Sequence, residues 1–473
     1  MARKEFPKVH FYDHDLIDMY DQTWVWTRDF WKKGTEENGF QARYFSRPDS
    51  KRINLFEDTL ATFFLVYSNR LFPVMPVLDN FYAKQEEDGA IRGEYGERNG
   101  KPIFKRSNPD GLMPPLFAWA EFNIYHKLGS KKRIKEVVPK LQRHYEWIER
   151  SFRAENGLYS VPLAATAMEN SPRHDMVYPV DFNCQMAISA LYISYLADLL
   201  NDKEVSYRYK KAYFSLKTRI SSLMWSDADG YYYDLDERSD QIPMKTIACF
   251  WPLLAQIPNE ERSEALIRHL SDPKHFGLEN PFPTLAACEK TFSSQGSGFR
   301  GSVYPEFTYM VIKGLEKYNR YDLAREFALR HLYYILDGLH PENGKQGTLW
   351  EAYLPTREGP AKWAENRKFP RSRHVPTAAL STIALMIENV VGLNVSLPRK
   401  TVDWVIPTRE LMGIEDLALK RNTISILCNK SSRGWEIDLE SEKLYYLTVN
   451  MLNDKRKTLP IPSGKCSILL DKL

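Results

Sequence analysis

The chain has 473 residues, 43% hydrophobic and 13% aromatic, which is enough to bury one very large core or two domains and too apolar for a disordered chain. Its 65 basic and 61 acidic residues leave a formal charge of +4 without a long single-sign block, which argues against nucleic acid as a partner. Five scattered cysteines without a Cys-x-x-Cys pair indicate neither a disulfide framework nor a zinc cluster, and no apolar leader or membrane span is expected.

In chain order, His10 and His14 come first, four apart and flanked by Asp13 and Asp15. A third ligand is lacking, so no metal or other cofactor is expected. Trp24-Val25-Trp26-Thr27-Arg28-Asp29-Phe30-Trp31 then gathers three Trp around an Arg-Asp pair. Either Arg28 and Asp29 hold sugar hydroxyls beside a platform of Trp24 or Trp26, or the pair is an internal ion pair under an aromatic lid.

From about Leu55 to Leu393 long amphipathic helices dominate, with expected spans 56–69, 74–86, 114–128, 131–152, 181–201, 204–223, 259–270, 303–318, 321–337 and 375–391. In the fourth, Ile134, Val137, Val138, Leu141, Tyr145 and Ile148 recur at helical spacing behind the solvated run Lys131–Lys135. Tyr231-Tyr232-Tyr233-Asp234 is one short extended piece after a turn. Near Pro398 the pattern changes to alternation, as in Ile424–Leu427, Trp435–Leu439, Leu444–Val449 and Ser467–Leu470, which reads as half-buried antiparallel strands. The expected fold class is therefore mainly α, with a helical body over 1–396 and a β-sandwich-like module over 397–473. Helices in antiparallel succession suggest stacked hairpins. A closed ring of six, an (α/α)6 barrel or toroid, would bring successive loops together at one mouth.

Two segments place a carboxylate among aromatic, amide and guanidinium groups. In Met168-Glu169-Asn170-Ser171-Pro172-Arg173, Pro172 and the small polar residues predict a loop before the helix that opens near Asp181. Asn170 and Ser171 either cap that helix or face a substrate, and Arg173 is placed to orient a carboxylate or bind a sugar hydroxyl. Leu349-Trp350-Glu351-Ala352-Tyr353 follows the loop His340-Pro341-Glu342-Asn343-Gly344 and brackets Glu351 with two aromatic residues that desolvate it or stack on a sugar. Between them, Gly296-Ser297-Gly298-Phe299-Arg300-Gly301 satisfies Gly-x-Gly-x-x-Gly. No βαβ unit surrounds it, so Arg300 in a Gly-rich loop facing a cleft is the expectation instead of a dinucleotide site. Glycosidic bonds break when one carboxyl protonates the leaving oxygen and a second carboxylate activates water or attacks the sugar. Glu169 and Glu351 are the candidate pair.

The order of these segments resembles the barrel glycosidases of the trehalase and processing α-glucosidase type, glycoside hydrolase families 37 and 63 with the related mannosylglycerate hydrolases. Trp24–Trp31 resembles their N-terminal Trp-Asp-aromatic segment, Gln85–Gly89 their Gln-x-x-Asp-Gly, and Met113–Leu116 their Gln-Pro-Pro. Met168–Pro172 matches the Gly-Met-Asp-Asn-Ser-Pro segment that holds their general acid. Phe299–Pro305 is a variant of their Tyr-Trp-Arg-Gly-Pro-x-Trp-Pro, and Glu351 falls where they place the general base. The resemblance implies an (α/α)6 fold and inverting hydrolysis, with Glu169 as acid, Glu351 as base, and Trp24, Trp26, Arg28, Asp29, Asn170, Arg173, Arg300, Trp350 and Tyr353 around a carbohydrate substrate. A monomer or small homo-oligomer is expected. The sequence leaves the compartment open between the cytoplasm and, for a chain whose export signal was removed, the periplasm or exterior.

Two departures matter. Glu169 stands where the family usually has Asp, which leaves Asp175 as an alternative acid, and the Trp-rich Arg-Gly motif is altered at Phe299, Ser302 and Tyr304. An epimerase or lyase relying on His174 or His374, or a catalytically lapsed sugar-binding barrel, are the competing expectations.

Overall fold

A computed structural model of the chain describes residues 6–340, 347–407, 409–419, 422–451 and 455–470. Most of the loop expected at 340–344 lies outside the described residues, of which only His340 is described. Twelve α-helices are formed among those described: α1 (His14–Thr27), α2 (Leu55–Leu65), α3 (Met75–Tyr82), α4 (Phe117–Leu128), α5 (Lys131–Phe152), α6 (Val180–Leu199), α7 (Lys203–Leu223), α8 (Trp251–Leu254), α9 (Glu260–Ser271), α10 (Pro305–Lys317), α11 (Tyr321–Leu339) and α12 (Val375–Ala379). The last continues as a π-helical stretch, Leu380–Val390.

Burial divides the helices into two kinds. α2, α6 and α10 are apolar or small on nearly every face, and α6 is buried from Val180 to Ser194 without a break. Such helices belong inside a large body. By contrast α5 buries one stripe, including Ile134, Val137, Leu141 and Ile148, and exposes Lys131, Lys132 and Lys135. Ser130 starts it by accepting a hydrogen bond from the Arg133 amide, and Pro139 is tolerated within it. α6 and α7 form a tight helical hairpin, and α4 and α5 also pack on α6.

The first part of the Trp-rich segment, through Thr27, is the end of helix α1. Asp13 caps it through the amides of Asp15 and Leu16, and Leu16, Met19, Tyr20, Thr23, Trp24 and Thr27 form its buried stripe. The helix expected over 74–86 is shorter, because the chain turns at Gln85, whose side-chain amide donates to the Gly89 and Lys140 carbonyls.

Beyond Val390 the chain forms two sheets with β1 (Lys8–His10), β2 (Leu393–Ser396), β3 (Thr401–Ile406), β4 (Met412–Leu419), β5 (Asn422–Ser431), β6 (Gly434–Ser441), β7 (Tyr445–Met451), β8 (Lys455–Ile461) and β9 (Gly464–Leu469). One sheet runs β1-β4-β5-β6-β9 and the other β8-β7-β3-β2, with β7 and β3 parallel and the remaining neighbours antiparallel. The sequence alternation appears directly in β3, where Val402, Trp404 and Ile406 are buried. The N-terminal strand β1 therefore completes a sheet whose other strands come from the far end of the chain. Trp404 Nε1 donates to the Val391 carbonyl (2.7 Å) and the Leu397 amide to the His126 carbonyl (2.7 Å), fastening sheets to helices.

Candidate active site

Three loops carry the candidate groups, and hydrogen bonds splice them together. Met168–Pro172 follows a 3-10 turn, Leu163–Thr166, closed by Ala167 at φ 60°. Asn170 does not cap α6. Its Oδ1 accepts from the Phe299 amide (2.7 Å), its Nδ2 donates to the Ser297 carbonyl (2.8 Å), and its own carbonyl accepts from Arg300 Nε (3.3 Å). Gly298, at φ 65°, permits this approach, since a Cβ there would stand 2.5 Å from Asn170 Oδ1. The Gly-rich loop is in turn paired with the Glu351 loop, because Val303 and Tyr353 exchange both backbone hydrogen bonds at 2.9 Å. Phe299 stacks on Tyr304 with ring centroids 4.7 Å apart.

Glu351 is held by Arg371 from three directions. The Arg371 amide and Nε reach Oε2 (3.0 and 2.7 Å), and its terminal nitrogen reaches Oε1 (2.5 Å). That same nitrogen bonds Glu57 Oε1 at 2.7 Å, so one guanidinium serves two carboxylates. Burial alone would raise both acids. The Arg371 charge and hydrogen bonds overcome it, leaving Glu351 below its ordinary value and Glu57 at about 2. Glu351 is thus a carboxylate at neutral pH, the state a general base requires.

Around this pair stand His374, with Nε2 4.0 Å from Glu57, and Glu306 in the first turn of α10. Burial pushes His374 down to about 4, so it is uncharged at neutral pH. Burial, with Glu351 and Glu57 adding repulsion, pushes Glu306 up to about 8, and its Oε2 has no hydrogen-bond partner. Sequence reasoning missed Glu57, Arg371 and Glu306. Glu57 is three residues after Asn54, whose side chain accepts from the Glu57 amide, so its local pattern is that of a helix cap alone. Arg371 sits in the run Arg371-Ser372-Arg373-His374, where a cluster of basic residues before a helix was the only signal.

Glu169 is exposed and lines a crevice with Lys105, Met113 and Ile103. Ile103 also walls the cleft of about 610 Å³ beside Arg371, which is rich in basic groups: Arg47, Lys51, Arg52 and Lys368. The buried phenol of Tyr304 is raised by burial first and then by the charges of Glu351, Glu306 and Glu169, so both candidate carboxylates act on one residue.

Several sequence-assigned binding residues are placed elsewhere. Arg173 is 2% exposed and fully engaged, with Nε and one terminal nitrogen on Asp234 (2.7 and 2.8 Å) and both terminal nitrogens on Asp181 (2.8 Å). It is a buried structural ion triad under the loop, not a group that meets sugar. Trp24 is 1% exposed and stacks on Phe6, so it is core and not a platform. Tyr353 is likewise buried, its hydroxyl accepting from the Trp350 amide, while Trp350 is half-buried. Trp26 is half-buried beneath the guanidinium of Arg373, which pairs with exposed Asp29 at 2.5 Å, and Arg28 lies over the Phe6 ring. Asn170 positions Arg300. His174 and Asp175 are exposed on the loop. Among the described residues, no group of three or more His, Cys, Asp or Glu is placed to hold a metal, and no helix is long and apolar enough to cross a membrane.

A Borreliella burgdorferi protein described only as uncharacterized is 50% identical over the whole of both chains. The glycoside hydrolase family 63 mannosylglycerate hydrolase from Thermus thermophilus, solved with glucose, superposes with a TM-score of 0.60 at 16% identity, covering 77% of this chain and 99% of that one. A sialidase structure (TM-score 0.72, 17% identity, 91% of this chain and 40% of that one) and a family 78 rhamnosidase from Bacillus sp. GL1 (0.64, 13%, 94% and 42%) share the fold. The trehalase C-terminal domain family matches residues 392–473, and the mannosylglycerate hydrolase MGH1-like glycoside hydrolase domain matches residues 106–370. With more than half its length inside that second match, the chain belongs to the MGH1-like glycoside hydrolases and is a glycosidase of the trehalase and family 63 type.

Proposed function

We propose that the chain hydrolyses an α-linked glucoside or mannoside with inversion, acting as an exo-glycosidase on a small glycoside or oligosaccharide. In this reading a division near residue 396 separates an (α/α)6 toroid from a supporting module that also takes in β1 and β2, and the working unit is a monomer or small homo-oligomer. Alternation of wholly buried helices with amphipathic ones supports the toroid.

Glu351 removes a proton from the attacking water. Arg371 keeps it ionised, and Glu57 on the same guanidinium holds Arg371 in place. Glu169 protonates the departing oxygen from the opposite side, and sugar lying over its exposed carboxyl supplies the desolvation that an acid needs near neutral pH. Inversion calls for about 6.5–9.5 Å between the two carboxyls, against about 5–5.5 Å for retention. The single observation that carries the assignment is the Glu351 carboxylate locked by Arg371 in a loop paired to the Arg300 motif.

Glu351→Gln and Glu169→Gln should each lower turnover on a panel of α-glucosides and α-mannosides by about a thousandfold, and proton NMR of the first product should show the β-anomer. Unchanged turnover in both variants overturns the glycosidase mechanism, and an α-anomer overturns inversion.

A further inference from the structure

A second cavity, of about 450 Å³, lies where α4, α10 and the π-helical stretch meet the strands that follow Gly392, and it shares no lining residue with the cleft beside Arg371. We propose that it binds a small ligand bearing an oxyanion, phosphate or carboxylate, held by Lys127 and Lys317.

Three lysines line the cavity, Lys127, Lys313 and Lys317, and two glutamates face them, Glu316 and Glu388. Both glutamates are already occupied, and the third carboxylate of the lining, Asp403, stands 3.7 Å from Arg456. Lys313 Nζ bonds Glu316 (2.8 Å), Glu388 (2.7 Å) and Asn389 (3.0 Å), while Glu388 also accepts from Tyr67 (2.5 Å) and Tyr309 (3.3 Å), and Asn389 Nδ2 donates to Glu316 (2.7 Å). Lys313 therefore spends its three donors inside this network.

The other two lysines do not. Lys127 is 2% exposed, yet its ammonium has one long hydrogen bond, 3.3 Å to Asn394 Oδ1, and otherwise rests over the Tyr67 ring. Lys317 donates to the Tyr192 hydroxyl at 3.1 Å and lies over that ring. Buried Lys127 has donors to spare, whereas exposed Lys317 gives its remaining donors to water. Asn123 Nδ2, one turn before Lys127 on α4, is buried without any partner. A buried cation with so little hydrogen bonding is costly, and burial accordingly pushes Lys127 down to about 8. An oxyanion reaching Lys127 and Asn123 would satisfy both, and exposed Lys317 lines the same cavity. Trp119 and Phe122 supply apolar wall, and exposed Arg399 stands at the rim. Aromatic wall with a few convergent donors is the make-up of a small-molecule site.

The test is calorimetric titration of the full chain, in a buffer free of phosphate and carboxylate, with sodium phosphate and separately with sodium citrate. Saturable binding of at least one anion is expected, weakened at least tenfold by Lys127→Met and by Lys317→Met and unchanged by Arg371→Met. The more strongly bound anion identifies the phosphoryl or carboxylate class. No saturable heat from either anion overturns the proposal, as does binding that survives both lysine substitutions or is lost with Arg371. Should either lysine variant fail to fold, wild-type crystals soaked in sodium selenate decide the matter. An anomalous peak within hydrogen-bond reach of Lys127 Nζ upholds the site, and a cavity without that peak rejects it.

Discussion

Arg371 decides what the two neighbouring carboxylates can do. It bonds Glu351 and Glu57 together, and without it their charges would repel across a buried site. Glu57, held at about 2, contributes stability that is complete above its ordinary value of 4.5 and is lost as pH falls toward 2. Arg371→Met should abolish that pH-dependent part of the melting temperature between about pH 4.5 and 2. The same change raises the Glu351 value, so the acidic limb of the rate profile should move to higher pH, with kcat reduced about 10–100-fold. An acidic limb that stays in place would show that Glu351 is not the group whose ionisation the rate requires. Arg173 shows the reverse case. Its sequence context next to Glu169 made it a sugar-binding candidate, and only its burial between Asp181 and Asp234 reveals a structural role.

At the scale of elements, the three loops that carry the candidate residues are tied to one another by hydrogen bonds. Asn170 grips the Gly-rich loop, which pairs with the Glu351 loop through Val303 and Tyr353. Gly298→Ala would drive a methyl against Asn170 Oδ1 and strain a left-handed residue. A loss of about 1–3 kcal/mol in denaturant unfolding is expected, with at least a tenfold fall in kcat from displaced Glu169 and Arg300. Wild-type kcat in that variant would mean that the splice does not set the site. Helix α1 illustrates a legible signal read otherwise. Asp13 followed by apolar residues at Leu16, Met19, Tyr20, Thr23 and Trp24 is a capped amphipathic helix, but the concentration of Trp drew the segment toward the site.

Across the whole molecule, the N-terminal strand ties the first residues to the last sheet. Val9 is buried and pairs with Ile414 at the sheet edge. Val9→Asp should cost about 2–4 kcal/mol and make residues beyond 409 the first sites of limited proteolysis. Unaltered proteolysis would mean that β1 is dispensable to the sheet.

Helices, strand alternation and the change of pattern near residue 396 were set by the sequence itself, because periodicity of 3.6 or 2 follows directly from which side chains must face a core. The ordered motifs likewise singled out Glu351 and Glu169 as the candidate pair. What only the tertiary structure decided were partnerships across long separations: Glu57 with Arg371 and Glu351, Arg173 with Asp234, and β1 with β4. Such pairs leave no local period to read. A charge at one position acquires its ionisation state only when folding removes water and brings its counterion within reach.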